Sequence, residues 1–176
     1  MHFVDPLTCT LQMGLKEGMT VGDFGTGTGH YAFSLAHIVG ETGKVYAVDV
    51  QKDLLRRLAV ELPQRGFSNI EIVWGDIERL GGTKLKDASL DAVVLSNTLF
   101  QLSKKDAAIS ELKRVLKPSG KLLIVDWSGA HGGLGPAKEH VVPEETAEAI
   151  FTSAGFQKLK SCVGGPHHYS LLFTLT

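Results

Sequence analysis

The sequence contains few cysteines, no long hydrophobic run and almost no net charge. Its 176 residues include two cysteines, Cys9 and Cys162, neither with a close partner in the sequence. This distribution favours free thiols in a reducing compartment over a disulfide or a cysteine-based metal site. No apolar stretch approaches the ~20 residues needed to cross a bilayer, and the first ten residues do not resemble a signal peptide. We therefore expect a cytoplasmic protein with no membrane span.

The charged residues are balanced, with eighteen Lys and Arg against nineteen Asp and Glu and a formal charge of -1. Such a balance provides no overall field to attract nucleic acid, so we expect no nucleic-acid partner. The length fits one domain over residues 1–176. Residues 1–18 would form an N-terminal cap segment and residues 19–176 the core, and the sequence is compatible with a homodimer.

Short apolar runs alternate with segments of helical periodicity. This alternation predicts an α/β fold with a doubly wound, mostly parallel sheet and helices on both faces. Two last apolar runs are separated by a link too short for a parallel crossover, so they predict an antiparallel hairpin. The predicted strands cover 19–24, 44–50, 70–74, 90–95, 121–127, 156–163 and 169–175.

Several helix boundaries can also be predicted. Phe3, Val4, Leu7 and Leu11 are spaced to cover the core with one N-terminal helix. Pro63 is expected to close the helix that contains Leu54, Leu58 and Leu62. Ser103 and Asp106 resemble a capping box that opens a later helix, which Pro118-Ser119-Gly120 would end. Pro143 suits the first turn of the last helix.

A glycine-rich turn follows the first strand, with the sequence Asp-Phe-Gly-Thr-Gly-Thr-Gly at 23–29. Glycines at this position let a ligand approach the backbone closely. The dinucleotide pattern G-x-G-x-x-G, counted from Gly25, requires a glycine where His30 stands. Asp23 adds a carboxylate that would repel a pyrophosphate and attract an ammonium or sulfonium group. The turn therefore indicates a cationic ligand.

Acidic and polar residues follow the next three strands. Asp49 ends the second strand, where a carboxylate can accept hydrogen bonds from ribose hydroxyls. Asp76 follows the third strand and can accept from an exocyclic amino group, while Ile77 can pack on a base. Ser96 and Asn97 follow the fourth strand. Because ligands of such sheets bind beyond the carboxyl ends of the strands, these residues are expected to share one site.

With these motifs, the chain resembles a class I S-adenosylmethionine-dependent methyltransferase, of the small single-domain type similar to ubiquinone and menaquinone biosynthesis methyltransferases. The segments GDI at 75–77, LDAVVLSN at 90–97 and ELKRVLKPSGKLLIVDW at 111–127 match that pattern. The resemblance implies a Rossmann-like sheet of seven strands with an antiparallel last strand, and S-adenosylmethionine as cofactor. The implied cofactor-binding residues are Asp23, Gly25, Thr26, Gly27, Gly29, Asp49, Val50, Gly75, Asp76, Ile77, Ser96 and Asn97.

The expected reaction is methyl transfer to a small-molecule acceptor by in-line displacement. No catalytic residue can be assigned, because the cofactor brings the electrophile and the protein aligns it. The histidines, among them His131, His140, His167 and His168, are expected to lie in surface loops and to form no metal site. Residues 1–18, 97–102 and 128–142 would surround the acceptor.

Two alternatives stay open at this stage. A nicotinamide-dependent oxidoreductase is disfavoured by His30 and Asp23. A non-catalytic S-adenosylmethionine-binding subunit would be favoured by a damaged cofactor motif, and the sequence shows none.

Overall fold

A computed structural model describes residues 5–133 and 135–176. The described residues form five helices and seven strands, with short 3-10 turns at Leu99–Gln101 and Lys138–His140. The elements are α1 (Pro6–Leu11), β1 (Thr20–Phe24), α2 (His30–Val39), β2 (Lys44–Asp49), α3 (Lys52–Gln64), β3 (Ile70–Trp74), β4 (Leu90–Ser96), α4 (Lys105–Val115), β5 (Leu116–Trp127), α5 (Glu144–Ser153), β6 (Phe156–Ser161) and β7 (His168–Leu175).

The seven strands form one sheet in the order β3-β2-β1-β4-β5-β7-β6. Strands β1 to β5 pair in parallel, and β7 runs antiparallel to both β5 and β6. The predicted Rossmann-like, doubly wound sheet with an antiparallel last strand is confirmed. Strand order reverses between β1 and β4, which is where ligands bind in such sheets.

Two hydrophobic cores cover the two faces of the sheet. Neighbouring residues of a strand point to opposite faces, so Val93 belongs to one core and Val94 to the other. The first core contains Leu112 of α4 and Phe151 of α5. The second contains side chains of α1, α2 and α3. Each fully buried side chain of this size contributes about 1.5–3 kcal/mol, and the two cores together hold the strand ends in register.

The predicted helix boundaries require three corrections. Pro63 lies inside the last turn of α3, which continues to Gln64. Ser103 does not cap α4, whose N-cap is Lys104 without a side-chain hydrogen bond. The Ser103 hydroxyl instead donates to Oε1 of Glu78 at 3.0 Å, because this carboxylate competes for it. Pro143 is the N-cap of α5 and precedes its first turn, rather than lying within it.

The segment Pro118-Ser119-Gly120 does not lie between α4 and the next strand. Strand β5 begins at Leu116, directly after α4. Leu116 pairs with Leu90, whereas Lys121 pairs with Ala92, so the segment forms an irregularity within the strand. Ser119 has a φ of 61°, the left-handed conformation that an extra residue in a strand often requires.

The N-terminal helix presents a different face to the core from the one predicted. Leu7 and Leu11 are 38% and 59% exposed, while Cys9 and Thr10 are buried. Phe3 and Val4 lie outside the described residues. Asp5 caps α1, since its carboxylate accepts from the backbone N–H groups of Leu7 and Thr8. Within the described residues, no helix combines the length and hydrophobicity needed to span a bilayer.

Candidate functional site

A cavity of about 740 Å³ lies at the carboxyl ends of the central strands. Its walls come from the segments that follow β1, β2, β3 and β4, as expected where strand order reverses. Eleven of the twelve cofactor-binding residues predicted from the sequence line it, and Gly29 does not. The eleven are Asp23, Gly25, Thr26, Gly27, Asp49, Val50, Gly75, Asp76, Ile77, Ser96 and Asn97.

The glycine-rich turn is fixed by backbone hydrogen bonds to the second strand. The N–H groups of Gly25 and Thr26 donate to the carbonyl of Val48 at 2.8 and 3.0 Å. Gly27 has a φ of 54°, and an added Cβ there would meet no protein atom closer than 4.0 Å. The turn therefore leaves open space beside its backbone for a ligand.

Gly29 serves the packing of the turn. It is the N-cap of α2 with a left-handed φ of 83°, a conformation that glycine adopts at low cost. An added Cβ would lie 2.5 Å from Cδ1 of Leu58 on α3. The left-handed φ and the approach to Leu58 both favour glycine at this position.

The carboxyl group of Asp23 is buried at the floor of the cavity, with the residue only 2% exposed. The hydroxyl of Thr26 donates to its Oδ2 at 2.6 Å. Burial raises the pKa of Asp23 to about 7, and the charge of Asp49 acts in the same direction, while the Thr26 hydrogen bond opposes them. A buried carboxylate without a cation beside it is costly, so the site favours a positively charged ligand group.

Asp49 is held in place by two backbone donors. Its Oδ2 accepts from the N–H of Gly27 at 2.9 Å, and its Oδ1 accepts from the N–H of Gln51 at 2.8 Å. Each carboxylate oxygen has two lone pairs, so both oxygens keep the capacity to accept further hydrogen bonds. The carboxylate thus links the glycine-rich turn to the second strand and lines the cavity.

The segment after β3 supplies a second polar anchor. Oδ1 of Asp76 accepts from the N–H of Glu78 at 2.9 Å, and the Asp76 N–H donates to the carbonyl of Gly82 at 3.1 Å. Val50 and Ile77 add apolar surface beside it, with Val50 largely exposed and Ile77 buried. A carboxylate next to two aliphatic side chains suits a flat ring with an amino group.

The acidic side chains in the described lining of the cavity are not balanced by Lys or Arg. Four carboxylates line it, from Asp23, Asp49, Asp76 and Glu78, and the described lining includes no Lys or Arg. Such a site attracts cations and repels anions. In the part of the chain that the structure describes, no group of three or more His, Cys, Asp or Glu side chains is arranged to hold a metal ion.

Several residues of the lining were missed from the sequence. His30 and Tyr31 lie in the first turn of α2. Because they directly follow the glycine-rich turn in the sequence, they could have been predicted to line the site. Pro6 belongs to the N-terminal segment that was expected to border the acceptor. His168 does not lie in a surface loop as expected; it is buried at the start of β7, and only the fold brings it to the cavity. Of the expected acceptor walls, residues 97–102 contribute several side chains, while the described residues of 128–142 contribute none. The full set of additional lining residues is Pro6, Thr28, His30, Tyr31, Val48, Gln51, Glu78, Thr98, Gln101, Leu102 and His168.

Comparison with known proteins identifies the family. A profile described as a methyltransferase domain matches residues 15–165. The chain belongs to this methyltransferase family. Ubiquinone/menaquinone biosynthesis C-methyltransferases UbiE from Pseudomonas putida and Escherichia coli are 38% and 34% identical to it over 116 residues, or 65% of the chain. The chain spans 44% and 45% of the length of these two relatives.

Solved structures with a similar fold support this family assignment. A SAM-dependent methyltransferase from Aquifex aeolicus is 33% identical, with a TM-score of 0.90, and the match covers 99% of this chain and 91% of that chain. The [4+2]-cyclase SpnF is 26% identical, with a TM-score of 0.76, over 89% of this chain and 58% of that chain. The family and these structures identify S-adenosylmethionine as the cofactor and decide against a nicotinamide-dependent oxidoreductase.

The cavity fits this methyltransferase cofactor by the chemistry of its lining. The buried Asp23 carboxylate suits an ammonium group, and Asp49 suits a ribose. The hydroxyl of Tyr31 is buried with no hydrogen-bond partner among the described residues, although its side chain lines the cavity. Because a buried polar atom normally has a partner, this hydroxyl is suited to a polar group of a ligand.

Proposed function

We propose that the chain is a single methyltransferase domain over residues 1–176 that transfers a methyl group from S-adenosylmethionine to a small-molecule acceptor. This proposal rests on one observation. Asp23, Asp49 and Asp76 line the same cavity, and its described lining contains no Lys or Arg. In this proposal the three carboxylates bind the ammonium, ribose and adenine amino groups of the cofactor, respectively.

Each part of the cavity has its own role in this proposal. Asp23 would hold the ammonium group, while the backbone at 25–27 and the Tyr31 hydroxyl would border the methionine part. Both Asp49 oxygens would accept from the ribose hydroxyls. Val50 and Ile77 would enclose the adenine ring and Asp76 would accept from its amino group. Gly75 and Ser96 would complete the walls beneath it.

When bound, the cofactor supplies an electrophilic methyl group on a sulfonium. The chain then has to align the acceptor for in-line displacement and keep water away, which together lower the barrier without covalent help. Pro6 and Leu102 line the cavity and would contribute apolar surface to this exclusion of water. We assign no general base.

The acceptor class follows from similarity alone at this stage. The matched relatives are named as C-methyltransferases of ubiquinone and menaquinone biosynthesis, so a quinone-related ring carbon is the first acceptor to test. A cytoplasmic location, a homodimer and the lack of a nucleic-acid partner remain predictions.

Co-crystallisation with S-adenosylhomocysteine, followed by a transfer assay with radiolabelled cofactor, tests the proposal. We expect the ammonium beside Asp23, the ribose on Asp49 and label in a reduced quinone acceptor. A ligand bound elsewhere would refute the site. Cofactor binding without transfer to any acceptor would favour a non-catalytic subunit or another reaction on this fold, as the name of the cyclase neighbour illustrates.

A further inference from the structure

Asn97 and His168 meet at the β4 side of the cavity, although 71 positions separate them in the sequence. Asn97 follows β4 directly, and His168 is the first residue of β7. The His168 Nε2 lies 2.8 Å from Oδ1 of Asn97. Both residues line the cavity, and the pair is separate from the three carboxylates that follow β1 to β3.

The surroundings of His168 keep its imidazole neutral and fixed. The residue is 7% exposed, and its ring lies 4.3 Å from that of Trp127, its partner on β5. Burial lowers the pKa of His168 to about 4, and His167 and His131 act in the same direction. Its Nδ1 is buried without a partner in the described part of the chain. A buried Nδ1–H without an acceptor would be costly, so we assign the proton to Nε2, which then donates to Oδ1 of Asn97.

This hydrogen bond determines what the Asn97 side chain can offer. Asn97 adopts a left-handed φ of 51°. Its backbone N–H donates to the carbonyl of Val125 at 2.8 Å, which fixes the residue at the strand end. With Oδ1 accepting from His168, the side chain presents its NH₂ group as a donor. Asn97 is half-buried, so the group remains within reach of the cavity.

Resting on the proposed function, we propose that Asn97 donates a hydrogen bond to the methyl acceptor and that His168 positions the Asn97 amide for it. The acceptor is then an uncharged molecule with a carbonyl or hydroxyl oxygen. An ammonium group has no lone pair to receive this N–H. A carboxylate or phosphate meets four carboxylates and no Lys or Arg in the described lining. Pro6 and Leu102 provide an apolar wall for the rest of the acceptor.

The location of the pair explains why we assign it to the acceptor. The carboxylates suited to the cofactor lie in or just after β1, β2 and β3, whereas Asn97 directly follows β4 and His168 begins β7. Gln101 and Leu102 extend the lining on the same side. The sequence-based assignment of Asn97 to the cofactor is therefore replaced, in this proposal, by an acceptor role.

Three compounds of equal ring size test the acceptor chemistry on the complex with S-adenosylhomocysteine. α-Tetralone carries a carbonyl oxygen, tetralin lacks it, and 1-aminotetralin carries an ammonium group. We expect α-tetralone to bind about tenfold more tightly than the other two in an NMR titration, the effect of one hydrogen bond. The side-chain amide signals of Asn97 should shift with α-tetralone. Equal affinity for α-tetralone and tetralin, or tighter binding of 1-aminotetralin, would overturn the proposal.

Variants of His168 separate positioning from packing. His168→Phe keeps a ring against Trp127 and removes the donor, and we expect about tenfold weaker α-tetralone binding with unchanged S-adenosylhomocysteine affinity. His168→Gln can donate to Asn97 and should restore most of the loss. His131→Phe, a matched control away from the cavity, should bind α-tetralone normally.

The outcomes distinguish this proposal from the proposed function. Equal losses of α-tetralone and S-adenosylhomocysteine in His168→Phe would assign Asn97 to the cofactor and overturn the inference alone. Unchanged α-tetralone binding in His168→Phe would also overturn it. Failure of the unmodified chain to bind S-adenosylhomocysteine would instead refute the proposed function.

Discussion

At the scale of single residues, the buried carboxyl group of Asp23 gives the cavity much of its preference for a cation. Its pKa of about 7 means that it is partly protonated near neutral pH before a ligand binds. An ammonium group binds the ionised form and competes with the proton. Binding should therefore depend on pH in a range where ordinary carboxylates are fully ionised.

We predict that the affinity for S-adenosylhomocysteine rises with pH up to about 7 and then levels off. Below 7 it should fall by about tenfold per pH unit, because a proton must leave Asp23 before the cation binds. Calorimetric titrations between about pH 5.5 and 8.5 measure this, as the pKa of Asp23 lies within that range. Asp23→Asn is the control, and a pH dependence that persists unchanged in this variant would contradict the assignment.

The second residue-scale prediction concerns Asp49. Asp49→Ala removes the acceptor for the ribose hydroxyls and for the Gly27 N–H. Each hydrogen bond to a charged group contributes about 1.5–3 kcal/mol, so S-adenosylhomocysteine should bind at least about tenfold more weakly. Lys52→Ala, outside the cavity on α3, is a surface control. Calorimetry showing an affinity within about threefold of the unmodified chain would refute the ribose assignment.

Some residues could be predicted from the sequence and others could not. Asp49 lies at the end of one predicted strand and Asp76 shortly after the next, where chain direction alone brings them to one edge of the sheet. His168 belongs to a hairpin at the far end of the chain, and its contact with Asn97 depends on β7 inserting between β5 and β6. Local sequence patterns do not encode that insertion, so this part of the site required the structure.

At the scale of elements, the helix α4 holds the loop that carries Asp76. Glu111 is fully buried on α4, and it accepts from the N–H groups of Gly81 and Thr83 at 2.7 and 3.1 Å. Arg114 donates to it at 2.7 Å. Burial of Glu111 opposes its ionisation, but the hydrogen bonds from Arg114 and Thr83 outweigh burial and lower its pKa to about 2. Gly82, between the two anchored residues, receives the Asp76 N–H.

We predict that Glu111→Ala lowers the free energy of unfolding by about 2–3 kcal/mol, because the N–H groups of Gly81 and Thr83 lose their acceptor, while Arg114 keeps its hydrogen bonds to Asp87 and Leu85. Urea denaturation measures this, and Lys113→Ala on the same helix is the matched control. A loss below about 1 kcal/mol would show that the network does not support the loop.

The stabilisation by Glu111 should depend on pH in a direction that follows from its pKa. Because the folded-state pKa of Glu111 lies below its ordinary value of 4.5, its stabilisation is complete above that value. It is lost as the pH falls from about 4.5 towards 2. The difference in unfolding free energy between the unmodified chain and Glu111→Gln should shrink over this interval. A difference that stays constant would contradict the assigned ionisation of Glu111.

The sequence predicted the strands better than the boundaries of the helices. The strands stand out as apolar, β-branched runs, since both faces of the sheet are covered. Ser103 failed as a cap because Glu78, which is distant in the sequence, accepts its hydrogen bond. The role of Glu111 was also hidden, because a Glu three positions before an Arg is typical of an exposed helix face.

At the scale of the whole molecule, the fold determines where chemistry can occur. The order of the strands reverses between β1 and β4, which opens a cavity. The carboxyl ends of the strands bring carboxylates to this cavity. The fold alone does not determine the reaction, since a cyclase has a similar structure. The charges and hydrogen-bonding groups of the cavity carry the functional argument.

The most direct measurement of the central claim is thermal unfolding with competing ligands. A ligand that binds the folded state at about 100 times its Kd stabilises it by about 2.7 kcal/mol, which corresponds to roughly 5–10 °C for a domain of this size. We predict that S-adenosylhomocysteine raises the unfolding midpoint by such an amount and that NAD and NADP leave it unchanged. Stabilisation by NAD or NADP, with no effect of S-adenosylhomocysteine, would contradict the account.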